Sequence, residues 1–233
     1  AVFIAKGGFV GPSRILDATW GSWYDVHFPN ATTDLPSITK ELGAQYRMVD
    51  TTFKAYPCCR GIHQYLEAYV DLVQSLRLEP QAIDRVEADV GYLRAHLISK
   101  NSVETTLDAQ MSLAYTLAVF SYTGRTSLPE FELERLKDPA VTELAKRVEI
   151  ITTDDDAEKE IRVHMADGTM HNRIISEEKG SLARPLSDDE LTAKFDELAA
   201  PVLGPDVAFS VARRVWDLDE VSSVRELTNL LAT

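Results

Sequence analysis

The feature that most limits the possible folds is a helical pattern that begins at Ile62 and stops before Pro80. Its apolar side chains recur at helical spacing and would form one face; they are Ile62, Leu66, Tyr69, Val70, Val73 and Leu76. A helix with one apolar face is stable in water only when that face packs against another layer. The pattern therefore predicts a layered domain in which strands or other helices cover this face.

Strand patterns follow that helix. Alternating or β-branched side chains indicate strands over residues 83–90, 146–152, 160–165 and 169–176. The dipeptide Asp167-Gly168 between the last two strands is a tight-turn signal, because these residues accept a positive φ. A second long helix is predicted over residues 106–122. Together these patterns predict an α+β fold: a small mixed or antiparallel sheet with two long helices.

Both ends of the chain have a different character. Helices are predicted over residues 12–24 and in three short pieces between residues 188 and 231, whereas residues 45–53 alternate like a strand. We therefore expect an α+β unit over residues 44–180, flanked by the segments 1–43 and 181–233, which belong to a helical body. The first residues, AVFIAKG, are typical of the end of a helix and predict that the chain begins within a longer protein.

Charge and cysteine content exclude several function classes. The net charge of −13 argues against non-specific nucleic-acid binding and against an anionic membrane surface, since both depend on Lys and Arg. No apolar run approaches the ~20 residues of a membrane helix. The two cysteines, Cys58 and Cys59, are adjacent, so they neither build a disulfide framework nor supply a structural metal site. We expect a cytoplasmic protein that needs no metal or cofactor.

The densest group of polar residues precedes the first long helix. Lys54, Arg60 and His63 lie close together around the rigid Tyr56-Pro57 turn, although cations are the minority in this chain. A helix N-terminus adds free N–H groups and a positive dipole end, so this segment could hold carboxylates. The spacing is equally compatible with an ordinary surface loop in which a cysteine is buried and His63 lies on the helix surface.

Cysteine catalysis is a further interpretation of the same segment. A helix N-terminus and Arg60 would lower the pKa of a thiol in Cys58 or Cys59, and His63 could act as its base. Nothing in the sequence marks the third, orienting group that such hydrolases usually need. The carboxylate-binding interpretation is therefore favoured over a cysteine hydrolase.

Residues 53–72, FKAYPCCRGIHQYLEAYVDL, resemble the MmgE/PrpD family, which includes 2-methylcitrate dehydratase, cis-aconitate decarboxylase and an iminodisuccinate epimerase. The matching residues are Phe53, Lys54, Tyr56, Pro57, Cys59, Arg60 and His63. Three further segments, 8–24, 107–124 and 184–203, resemble family segments in the same order, so the resemblance covers almost the whole chain.

This resemblance implies a fold and a class of reaction. Family members have a helical body and a smaller α+β lid with the active site between them, and this chain resembles the lid with the adjoining ends of the body, the C-terminal half. It implies a cofactor-independent hydro-lyase that acts on di- or tricarboxylic acids, and a homodimer. An epimerase or a non-catalytic dimerisation half are the alternatives. Because the first half of family members supplies further catalytic residues, the chain alone is expected to be weakly active or inactive.

The resemblance also assigns roles to residues. Lys54 and His63 are expected to be catalytic, and Lys54, Tyr56, Cys59 and Arg60 to bind substrate. These reactions build negative charge on a carboxylate, so cations fixed beside it stabilise the transition state most. His63 would support the site or transfer a proton. Family decarboxylases have a His at the position of Cys59, and this difference argues against decarboxylation.

Overall fold

The computed structural model describes residues 2–11, 14–16, 18, 21–30, 34 and 36–232. The chain separates into two compact units, Ala1–Thr51 and Thr52–Thr233. The predicted assignment of residues 1–43 and 181–233 to a helical body, around a lid of residues 44–180, stays a prediction.

The first unit contains short helices: α1 (Val2–Lys6), α2 (Trp23–His27) and α3 (Pro36–Thr39). Helix α2 begins at Ser22, whose hydroxyl accepts a hydrogen bond from the Asp25 amide while the Asp25 carboxylate accepts one from the Ser22 amide. The helix predicted over residues 12–24 falls partly outside the described residues, and its described end is instead the start of α2.

The strand predicted over residues 45–53 is wrong. Residues Arg47–Asp50 form a single 3₁₀ turn, and Tyr46, Met48 and Val49 are all exposed. A period-2 pattern specifies a strand only where one face is buried and another strand supplies hydrogen bonds. This segment pairs with none of the described strands, so its alternation has no structural effect.

The second unit is built on a four-stranded mixed sheet with the order β2-β1-β3-β4. Its strands are β1 (Ile83–Gly91), β2 (Val148–Thr153), β3 (Glu160–Met165) and β4 (Met170–Ile174). Strand β1 pairs in parallel with β2 and antiparallel with β3, and β3 forms the predicted hairpin with β4. Gly168 in the hairpin turn has a φ of +86°. The structure thus confirms the α+β class and the mixed sheet.

Helix α4 (Arg60–Leu76) is the predicted amphipathic helix, and it packs on β3, β4 and helix α7 (Leu113–Thr123). Ile62, Leu66 and Tyr69 of the predicted face are buried, whereas Val70 and Val73 are half-buried and Leu76 at the helix end is exposed. Helix α7 is buried on nearly every side, which matches its almost uniformly apolar sequence. The core that positions the candidate site consists mainly of these two helices and the inner face of the sheet.

Two helices differ from expectation. The helix predicted over residues 106–122 is divided into α6 (Thr106–Gln110) and α7, because the Ser112 hydroxyl accepts a hydrogen bond from the Tyr115 amide and starts a new helix. Helix α5 (Tyr92–Ile98) was not predicted; it buries only Ala95 and Ile98, whereas its larger side chains Tyr92, Leu93 and Leu97 are exposed.

The C-terminal helices agree with the prediction. They are α9 (Asp188–Leu203), α10 (Pro205–Trp216) and α11 (Val224–Leu230); the shorter helix α8 (Pro139–Ala145) precedes β2. Helix α9 begins at Ser187, which forms a capping box with Glu190. It packs along α10, which contacts α11. Among the described residues no helix is long and apolar enough to span a bilayer.

Candidate active site

The loop that precedes α4 forms one wall of a cavity of about 240 Å³. Residues 54–57 line it together with residues 126–128, which follow α7, and with Lys194, Glu197 and Leu198 of α9. The volume lies below the ~300–1,000 Å³ of pockets for drug-sized ligands, so the cavity suits a small molecule. Two of its lining side chains are lysines and one is acidic, which gives a local positive excess in a chain of net charge −13.

The backbone beside Lys54 is fixed by a glycine that is distant in sequence. The Phe53 amide donates a hydrogen bond to the Gly180 carbonyl at 3.0 Å. Gly180 has a φ of +85°, and a Cβ at this position would lie 2.1 Å from the Phe53 carbonyl oxygen. Only glycine permits both this backbone conformation and this approach. The position of Lys54 therefore depends on the turn that contains Gly180.

That turn, residues 177–184, is held by α4. The Glu67 carboxylate of α4 accepts hydrogen bonds from the Lys179 amide at 2.6 Å and from the Arg184 guanidinium at 2.7 Å. Inside the turn the Gly180 amide donates to the Arg184 carbonyl at 2.7 Å. Charge-assisted hydrogen bonds of this kind are stronger than neutral ones. The 177–184 turn thus connects α4 to the loop that carries Lys54.

Arg60 takes part in this framework and does not line the cavity. Its guanidinium forms an ion pair at 2.9 Å with Glu178, which is buried, and also donates a hydrogen bond to the Thr52 hydroxyl. The charge of Arg60 is therefore matched within the protein. Its role as a substrate ligand stays a prediction, whereas the structure gives it a contact that holds the 177–184 turn against α4.

His63 is buried, with 1% of its surface exposed, and it does not line the cavity. Its ring packs edge-on against Tyr56 at 5.2 Å between centroids, and neither ring nitrogen has a hydrogen-bond partner among the described residues. Burial is the largest effect and lowers the pKa of His63 to about 4; the Cys58 backbone and Glu178 oppose it, and Lys54 and Arg60 lower the pKa by smaller amounts. His63 is thus neutral at pH 7, and its proton-transfer role stays a prediction.

Acid should destabilise the fold through His63. Because its pKa is about 4 in the folded state and near 6.5 when exposed, the neutral form stabilises the fold above pH 6.5, and this contribution is lost as the pH falls toward 4. Between pH 7 and pH 5 the loss is about 2 kcal/mol. Urea unfolding should show that His63→Phe removes this part of the pH dependence. Replacing the exposed His96 by Gln should leave it unchanged, and an unaltered pH dependence in His63→Phe would contradict the assignment.

The two cysteines differ in environment. Cys58 is buried, and burial, with a further contribution from Cys59, raises its pKa to about 12 although Lys54 acts in the opposite direction. A thiol with such a pKa is almost entirely protonated at pH 7, which weighs against Cys58 as a nucleophile. Cys59 is half-buried at the start of α4, and its amide donates to the Gln110 carbonyl at 2.7 Å. Its contact with substrate stays a prediction.

Tyr56 lies between the cavity and the buried His63. It lines the cavity and packs against the His63 ring. Burial raises the pKa of Tyr56 to about 12, and the carboxylate of Glu67 raises it further, with Arg184 opposing. Its hydroxyl therefore stays protonated at neutral pH and can donate a hydrogen bond.

The sequence did not identify the cavity-lining residues outside the Lys54 loop, which lie on α9 and in residues 126–128. Lys194 on α9 donates a hydrogen bond from its Nζ to the Lys54 carbonyl oxygen at 2.5 Å, and Thr126 and Ser127 add hydroxyl groups to the lining. Lys194 lies in a segment of family resemblance, but no local motif relates it to Lys54, which is 140 residues away. Among the described residues no group of His, Cys, Asp and Glu side chains could hold a metal ion.

Comparison with known proteins identifies the family. Residues 56–218 match the family model of the MmgE/PrpD C-terminal domain. Since the match covers well over half of the chain, the chain belongs to the MmgE/PrpD family. This confirms the resemblance that began with the Lys54 loop.

Relatives with curated names match nearly the whole chain. It is 25% identical to cis-aconitate decarboxylase of Mus musculus over 99% of this chain and 49% of that protein. The Homo sapiens cis-aconitate decarboxylase is 24% identical, over 99% of this chain and 50% of that protein. The cis-aconitate decarboxylase-like protein oryM of Aspergillus oryzae is 22% identical, over 98% and 51%. The chain thus spans about half the length of the curated relatives it matches, and these relatives are lyases by name.

Proposed function

We propose that this chain forms the Lys54 wall of the active site of a cofactor-independent lyase that acts on small di- or tricarboxylic acids. The observation that carries the proposal is the cavity beside α4, which Lys54 lines from a backbone fixed by Gly180. Membership of the MmgE/PrpD family and the lyase names of the relatives support the same class of reaction.

The chemistry follows from where charge develops. When a bond next to a carboxylate breaks, negative charge builds on that carboxylate. An ammonium group fixed beside it then stabilises the transition state more than the ground state. Lys54 would supply this stabilisation, and the protonated Tyr56 hydroxyl would donate a hydrogen bond to the same acid. A general base that removes the α-proton and an acid that protonates the leaving hydroxide complete a dehydration.

Dehydration is the first of two candidate reactions. The loop carries Cys59 where a decarboxylase of this family is expected to carry a basic His, so removal of water fits the loop better. Decarboxylation is the second candidate, because the curated relatives are named cis-aconitate decarboxylases. In both reactions the same lysine would face the carboxylate, and epimerisation of an acidic substrate would use it in the same way.

The experiment is to incubate the full-length protein that contains this sequence with citrate, 2-methylcitrate, cis-aconitate and an amino-dicarboxylate. Products are followed by proton NMR, and released CO₂ is measured in parallel. An unsaturated acid formed without CO₂ would support dehydration, and CO₂ release would support decarboxylation. Inverted stereochemistry in deuterated water would indicate an epimerase. Failure to convert any of these acids would contradict the proposal.

A homodimer in a reducing compartment such as the cytoplasm is part of the proposal. Cys58 and Cys59 are both free thiols. Apolar side chains are exposed on the C-terminal helices, among them Val202, Phe209 and Trp216. A contiguous patch of such groups would mark an interaction surface, which also agrees with the alternative of a non-catalytic dimerisation half. Light scattering after gel filtration distinguishes a dimer from a monomer.

A further inference from the structure

The cavity beside α4 contains a second lysine that the proposed function leaves without a role. Lys194 is half-buried on α9, and its side chain lines the cavity opposite the Lys54 loop. Its Nζ donates to the Lys54 carbonyl oxygen at 2.5 Å, so the ammonium group is held at the edge of the loop. A lysine ammonium has three N–H donors, and this contact uses one of them.

The charges around this lysine indicate what kind of ligand the cavity could take. Acidic residues outnumber basic ones by 37 to 24, and most lysines and arginines of the second unit are paired with a carboxylate. Neither Lys54 nor Lys194 forms an ion pair within the part of the chain that the structure describes. Two lysines therefore line one small cavity without an ion-pair partner among the described residues, which favours an anionic ligand.

Glu197 limits how much negative charge the cavity tolerates. It follows Lys194 by three positions on α9, so the two side chains share one helix face, and both line the cavity. Its carboxylate opposes anion binding, and the two lysines exceed it by one positive charge. Without Lys194 the charges of Lys54 and Glu197 would cancel, so the second ammonium group is what makes the lining favourable for an anion.

We propose that Lys194 determines substrate specificity by binding a second carboxylate of the acid, distant from the one that Lys54 holds. This inference rests on the proposed function and goes beyond it, because it assigns selectivity for acids with more than one carboxylate to a residue of α9. A monocarboxylic acid would contact Lys54 alone. The Thr126 hydroxyl would supply an uncharged contact to either kind of acid, whereas the Ser127 hydroxyl donates to Glu130.

The test compares Lys194→Met with Lys54→Met in the full-length protein by calorimetric titration at low ionic strength. The ligands are citrate and 2-hydroxybutyrate, a monocarboxylic acid. Lys194→Met should bind citrate roughly 10- to 100-fold more weakly than the wild type, because it loses a charge-assisted hydrogen bond. Its affinity for 2-hydroxybutyrate should be unchanged. Lys54→Met should weaken both ligands. Glu197→Gln is the control of opposite sign and should strengthen citrate binding.

Each outcome separates this inference from the proposed function. If Lys54→Met weakens both acids but Lys194→Met changes neither, the specificity role of Lys194 is wrong and the proposed function stands. Equal weakening of both acids by Lys194→Met also overturns the inference, because it indicates a structural contact with the Lys54 loop. If the wild-type protein binds no acid, both proposals fail. Thermal unfolding of each variant, with Lys194→Arg as the charge-preserving reference, checks the fold.

Discussion

Replacement of Lys54 by Ala is expected to lower kcat/KM for the acid substrate roughly 100- to 1,000-fold, the usual effect of removing one group that stabilises developing charge. The side chain of Lys54 is exposed and forms no ion pair within the described residues. Its removal should therefore change the free energy of unfolding by less than about 0.5 kcal/mol. Turnover of the full-length protein and urea unfolding measure the two effects separately.

The matched control for this variant is Lys137→Ala. Lys137 is also exposed and lies outside the cavity that Lys54 lines. A general loss of positive charge in this acidic protein would affect both variants equally, whereas an active-site lysine affects turnover only when Lys54 is replaced. Wild-type turnover by Lys54→Ala would remove Lys54 from the mechanism.

Gly180→Ala is expected to lower turnover as strongly as Lys54→Ala, although Gly180 does not line the cavity. The positive φ alone costs about 1–3 kcal/mol with a side chain. The added Cβ would also lie 2.1 Å from the Phe53 carbonyl oxygen, so the backbone that carries Lys54 has to move. Urea unfolding measures the lost stability, and hydrogen exchange at the Phe53 amide, which donates to Gly180, measures the local displacement.

Gly168→Ala separates the two effects of this substitution. Gly168 has nearly the same φ, +86° against +85°, but a Cβ there would meet no atom within 4 Å. This variant should lose stability through its backbone alone and keep both turnover and the protection of the Phe53 amide. If Gly180→Ala behaved like Gly168→Ala in turnover and exchange, the 177–184 turn would have no part in positioning Lys54.

The sequence predicted those elements whose pattern matches their burial. Helix α4 has apolar side chains at helical spacing that stop before Pro80, and the hairpin β3–β4 has the Asp167-Gly168 turn, so neighbouring residues alone define them. Residues 45–53 show the limit of predicting strands from alternation, because this segment pairs with none of the described strands. Helix α5 shows the opposite case, since this short unpredicted helix buries only Ala95 and Ile98 and exposes its larger apolar side chains.

The candidate site was predictable only in part, because only some of its contacts join residues that are close in sequence. The cluster from Lys54 to His63 is local, and both its charge and the family resemblance marked it. Its surroundings are not local: Glu178 pairs with Arg60 across 118 positions, and Lys194 reaches Lys54 across 140. The local pattern therefore identified the loop. It could not distinguish Lys54, which lines the cavity, from Arg60, which forms an ion pair within the protein.

The most direct test of a carboxylate site at Lys54 is a thermal-shift titration of the protein with citrate, 2-methylcitrate and cis-aconitate. A ligand at ~100 times its dissociation constant stabilises the folded state by about 2.7 kcal/mol, which is a readily measured shift. We expect at least one of these acids to raise Tm in the wild type and in Lys137→Ala but not in Lys54→Ala. No shift with any acid, or an equal shift in Lys54→Ala, would contradict the placement of the carboxylate site on this loop.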